Sequence, residues 1–120
     1  VGKEMRTIFV FGSNTEGRHG AGAALHARQN NGAVYGQARG LQGDSWGIVT
    51  KDLGSGKRSV TLNDIKTQVD ELITYANQHP DVVFEVTRIG CGLAGYMDHE
   101  IAPMFVSAPG NMRLPSGWRK

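Results

Sequence analysis

Twice along this chain an apolar, β-branched run stops at a cluster of glycines and gives way to a helix-forming segment. That repeated order constrains the fold more than any other feature. Thr7–Phe11 (TIFVF) ends at Gly12 and passes through GSNTEGRHG into Ala21–Asn30, whose helix formers stop at Asn30, Asn31 and Gly32. Val82–Ile89 (VVFEVTRI) runs into GCGLAGY and then a short helix from about Asp98, with Ile101, Ala102 and Phe105 placed to face a core. Continuous apolar runs of this length read as strands buried on both faces. The 17 glycines, well above the average usage of roughly 7%, fall in clusters between patterned segments and so mark sharp turns or close approach rather than a linker.

Between these units, Ala33–Asp44 reads as short irregular strand, Trp46–Thr50 (WGIVT) as a strand and Lys51–Ser59 as a polar turn. Leu62, Ile65, Val69, Leu72, Ile73 and Ala76 recur at helical spacing, Thr61 and Asp64 form a capping pattern, and Pro80 ends the helix. Pro109–Lys120 reads as a closing strand or coil. Strands alternating with helices predict an α/β fold with a mixed, largely parallel sheet covered on both faces. In such sheets ligands sit at the carboxyl ends of the strands, where both glycine loops fall.

Length and composition bound the rest. A chain of 120 residues with 39% hydrophobic residues supports one core, so a single domain over residues 1–120 is expected. A net charge of +2 is too mild for the phosphate-neutralising stripe of a nucleic-acid binder, and no apolar run approaches the roughly 18 residues of a membrane span. The lone cysteine, Cys91, and the absence of a secretory pattern in VGKEMRTIFV point to a reducing, cytoplasmic setting.

In loop one, Gly12, Gly17, Gly20 and Gly22 stand with Ser13, Asn14, Arg18, His19 and Ala21 ahead of a helix start. Inward N–H groups and a helix terminus make such a loop a phosphate cradle. The plainer alternative is a tight turn. In loop two, Gly90, Cys91, Gly92, Leu93, Ala94 and Gly95 match G-x-G-x-x-G, but the acidic residue about 20 positions on is missing, with only Arg113 near, so the dinucleotide form of the motif fails. Tyr96 is placed either to cap a ligand or to fill the core. LGSGKRS lacks the spacing of a P-loop. His19, His26, His79 and His99 show no metal-ligand spacing, so no metal and no cofactor is predicted. Cys91 reads as a small buried residue and Asp98 as a helix N-cap. Lys51 and Asp52 follow a strand end and are the candidates, with Asn14, to assist chemistry.

With these residues in place the chain resembles the macro domain superfamily, in a small divergent branch of the kind met in bacteria and their phages. FGSN at Phe11–Asn14 is similar to the family's strand ending in Asn-Ala-Ala-Asn, and HGAGAALHA at His19–Ala27 to its glycine-rich turn into a helix. Thr87–Tyr96 (TRIGCGLAGY) resembles the strand and loop that wrap the diphosphate and distal ribose, and Gly40–Thr50 the intervening strand, so the likeness runs in order from Ile8 to Phe105. The resemblance implies a three-layer α/β/α sandwich that binds ADP-ribose or a related nucleotide. It places Asn14 on the distal ribose, Gly20–Gly22 and Gly90–Gly95 on the diphosphate, Tyr96 on the ribose face and a hydrogen bond from Ser13. Some members of the family hydrolyse ADP-ribosyl bonds; this chain lacks the paired glutamates of the glycohydrolase type.

Three functions therefore compete. The first is an ADP-ribose-type binder, with or without hydrolysis of an ADP-ribosyl or phosphoester bond. The second is a non-enzymatic sensor or sponge for a nucleotide signal such as a cyclic ADP-ribose derivative, with Arg18 and His19 adding charge contacts. A nucleic-acid module is the third, and only Lys57, Arg58, Arg113, Arg119 and Lys120 speak for it.

Overall fold

A computed structural model describes residues 5–119; Val1–Glu4 and the basic Lys120 lie outside the described residues. The elements run β1 (Arg6–Asn14), α1 (Gly22–Asn30), β2 (Gly40–Gln42), β3 (Ser45–Lys51), α2 (Leu62–Gln78), β4 (Val82–Val86), α3 (Asp98–Ile101), a 3-10 turn (Ala102–Phe105) and β5 (Met112–Arg113). The strands form one five-stranded sheet in the order β2-β3-β1-β4-β5. β1 runs parallel to both β3 and β4, β4 parallel to β5, and only β2 is antiparallel, to β3. The chain is thus an α/β fold with a mixed, mostly parallel sheet.

Strand periodicity distributes the core. On β1, Ile8 and Val10 point to one face, where they join Ile65, Val69 and Leu72 of α2 and Ile101 and Phe105 after loop two. Phe9 and Phe11 point to the other, against Ala24 and Ala27 of α1. Fully burying side chains of this size is worth about 1.5–3 kcal/mol each, so α2, with its apolar face at helical spacing, anchors the first face.

The caps follow sequence in part. The Thr61 hydroxyl accepts the Asp64 N–H, as its position predicts. At the other end of α2 the Asn111 side chain donates to the carbonyls of Ala76, His79 and Val82, a satisfaction of orphan groups that no local signal announces. Gln68, buried on α2, accepts the N–H of Val49 and donates to its carbonyl, completing β3 where β2 has ended. β4 is shorter than the apolar run Val82–Ile89 suggests. The N–H and the hydroxyl of Thr87 both close on the Val10 carbonyl, and the Ile89 N–H then turns back to the Thr87 carbonyl. Asp98 is the first residue of α3, after Met97 as N-cap, and its carboxylate accepts from Arg88 and from the indole N–H of Trp118.

Candidate functional site

Because β3 and β4 flank β1 on either side and all three run parallel, their carboxyl ends open side by side. The chain leaves β1 for α1 on one face of the sheet and leaves β4 for α3 on the other. The connections diverge there and open a crevice, which is where ligands bind in open α/β sheets.

The crevice is a cavity of about 640 Å³. Loop one contributes Gly12, Ser13, Asn14, Arg18, Gly20, Ala21 and Gly22, followed by Ala23 and Ala24 of the first turn of α1. Loop two contributes Gly90, Gly92, Leu93 and Ala94, and the end of β3 contributes Lys51. Sequence reading did not single out Thr50, Leu53, Thr87, Arg88 or Ile89, which also line it. Thr50, Leu53 and Ile89 each adjoin a residue that was singled out, and Thr87 and Arg88 open the TRIGCGLAGY segment, so position along the chain was the signal available.

Six of the residues singled out stand away from this wall. Gly17 is buried under the segment after α1, with φ +66° and a hypothetical Cβ 2.5 Å from the Gly36 carbonyl carbon. Tyr96 is buried at 4% exposure, and its hydroxyl donates to the Val60 carbonyl. Gly95 faces the Lys57 side chain, and Cys91 packs at the edge of the core. Burial and then neighbouring Asp98 push the Cys91 thiol up to about 11, so it carries little thiolate at neutral pH. The Asp52 carboxylate accepts hydroxyls from Ser55 and Thr15, which hold it below the usual carboxylate range. His19 is fully buried beside Phe11, with ring centroids 5.2 Å apart.

Donors dominate the wall. α1 has no side-chain cap at Ala21 and no acid in its first turn, so its free N–H groups and the positive end of its dipole meet the cavity. Arg18, Lys51 and Arg88 are its charged lining residues, with no carboxylate among them. Arg18 pairs loosely with Glu16 at 3.3 Å and Arg88 with Asp98 at 2.7 Å, both at the surface. Asn14 is a staple within loop one: its side-chain oxygen accepts the N–H groups of Glu16 and Arg18, and its amide donates to the Arg18 carbonyl.

The polar turn after β3 is strapped across both loops. Leu53 N–H and Asp52 meet Thr15, while the Arg58 N–H donates to the Ala94 carbonyl. The Arg58 guanidinium lies 4.5 Å from the Tyr96 ring centre and forms a two-pronged pair with Glu100, which is held down to about 2, chiefly by those hydrogen bonds. Arg119 donates to the carbonyls of Ala108, Pro109 and Met112. Two of the basic residues that spoke for nucleic acid are thus engaged within the fold.

A second concavity of about 790 Å³ lies between α3 and the C-terminal segment. Its Asp98 and Arg119 are already satisfied internally, and the crevice at the strand ends is the better candidate. Among the described residues no group of three or more His, Cys, Asp or Glu is arranged to hold a metal ion, and no helix is long and apolar enough to cross a membrane. Comparison of the chain with protein-family models, curated proteins and solved structures finds no match.

Neither ring nitrogen of His19 has a hydrogen-bond partner. Desolvation lowers its pKa below 6.5; the nearby Gln37 backbone opposes this without reaching hydrogen-bond geometry, and Arg28 adds to the lowering. The unfolded chain therefore takes up this proton first. Stability is full above about pH 6.5 and falls as pH drops below it, by at most about 1.4 kcal/mol per pH unit, until the folded-state value is passed. Urea midpoints at pH 7.5 and 5.5 should separate more for the native chain than for His19→Leu. Equal separations would assign the pH dependence elsewhere.

Proposed function

We propose that this chain binds ADP-ribose or a related nucleotide in the manner of the macro domain superfamily. The diphosphate lies on the N–H groups of Gly20–Gly22 and loop two, with Lys51 and Arg18 adding charge. The observation that carries this reading is the wall of the crevice: an uncapped helix start and three cations, with no carboxylate, at the carboxyl ends of three parallel strands. The fold supports it too. With α1 on one face of the sheet and α2 and α3 on the other, the natural reading is the three-layer α/β/α sandwich of that superfamily.

Binding without turnover is the form we favour. Asp52, the acid nearest in sequence to the strand ends, stands outside the wall with its oxygens occupied, and Asn14 is committed to loop one. Neither group is disposed to take a proton from water. A nucleotide sensor or sponge fits these facts better than a hydrolase.

Calorimetric titration with ADP-ribose, ADP, NAD and ribose 5-phosphate, with chromatography of the recovered ligand, tests both parts. Saturable ADP-ribose binding with intact ligand is expected, and a product peak would restore the hydrolase. Lys51, which has no ion-pair partner among the described residues, contributes a charge-assisted contact, so Lys51→Ala should weaken binding about tenfold. Unchanged affinity would place the diphosphate elsewhere.

A further inference from the structure

The neutral polar side chains of the crevice are turned onto the chain itself. Asn14 makes its three bonds within loop one, the Thr50 hydroxyl donates to the Ser13 carbonyl at 3.4 Å, and the Thr87 hydroxyl to the Val10 carbonyl at 2.7 Å. Side chains left to meet a ligand are chiefly Lys51 and Arg18, both pure donors. Reading a nucleobase takes hydrogen bonds of both senses along its edge and a flat side chain against its face. The rings adjacent in sequence to the wall, Phe11 and His19, and Tyr96 just beyond it are all buried, Tyr96 beneath Val60 and Arg58, and the wall itself is otherwise glycine, alanine and aliphatic surface.

Resting on the binding proposed above, we infer that the site selects its ligand by phosphate charge and is indifferent to the base. The ligand class is a phosphorylated ribose or nucleoside diphosphate ribose whose base remains in solvent. Phosphate supplies only acceptors, which is what a wall of amide N–H groups and cations demands.

The test is a calorimetric series on the full chain with ADP-ribose, its hypoxanthine and uracil counterparts, ribose 5-phosphate and adenosine. The three diphosphate riboses should bind within about threefold of one another and ribose 5-phosphate measurably, while adenosine should not bind. Lys51→Ala should weaken all three by the same factor. A preference of more than about tenfold for ADP-ribose over both counterparts, or adenosine binding at comparable strength, overturns the inference and leaves the parent reading standing. Failure of all three diphosphate riboses to bind overturns the parent reading and this one together.

Discussion

Replacing Gly20 by glutamate is expected to lower ADP-ribose affinity by more than about 100-fold while leaving the melting temperature nearly unchanged, because like charges forced together cost several kcal/mol. Gly20 is exposed on the crevice wall just before α1, its φ lies outside the left-handed region, and a Cβ there meets nothing within 4 Å. The added carboxylate would stand where the diphosphate is placed and would satisfy the free N–H groups of α1 in its stead. Gly22 is the less informative position. Its φ of +57° means that any side chain strains the backbone, so a loss of binding there could not be told from a loss of fold. Calorimetry beside thermal melting settles the matter: tight binding by Gly20→Glu would remove the diphosphate from loop one.

Gly17→Ala should do the opposite, costing stability wherever it is measured. Its φ of +66° disfavours an L-residue by roughly 1–2 kcal/mol, and the new Cβ would overlap the backbone of Gly36 and Gln37 at 2.5 and 2.8 Å. Relieving that overlap shifts the segment after α1 and loosens the Gly36 N–H bond to the Gly17 carbonyl, which adds a packing cost of about 1–3 kcal/mol. A total of about 3 kcal/mol lowers the melting temperature of a chain this size by roughly 10 °C. Gly20→Ala, in open space, is the control and should stay within about 0.5 kcal/mol of the native chain. A melting temperature for Gly17→Ala within 2–3 °C of native would show that the segment yields freely.

The two glycines look alike in sequence, which is why loop one was only half legible there. Both belong to GSNTEGRHG, yet Gly17 serves packing against a segment nearly 20 residues on and Gly20 faces the crevice. Tyr96 and His19 pose the same problem. A polar aromatic in a glycine loop reads as a ligand contact, and whether it points outward depends on what the rest of the fold puts beside it. Here Val60 takes the Tyr96 hydroxyl, and Phe11 covers His19.

Local chemistry along the chain determined the elements and their order. β-branched runs bury as strands, the spacing from Leu62 to Ala76 makes a one-sided helix, Thr61 caps it, and glycine clusters fall at the turns from strand to helix. Those are interactions between near neighbours, so sequence suffices to predict them. Only the tertiary structure decided that β3 and β4 lie on either side of β1, that Asn111 and Gln68 close the open ends of α2 and β3, and that Arg88 and Thr50 join the crevice. Each of these pairs groups far apart in the chain, and each is selected by the burial and hydrogen-bond satisfaction of the whole sheet, which no local window contains.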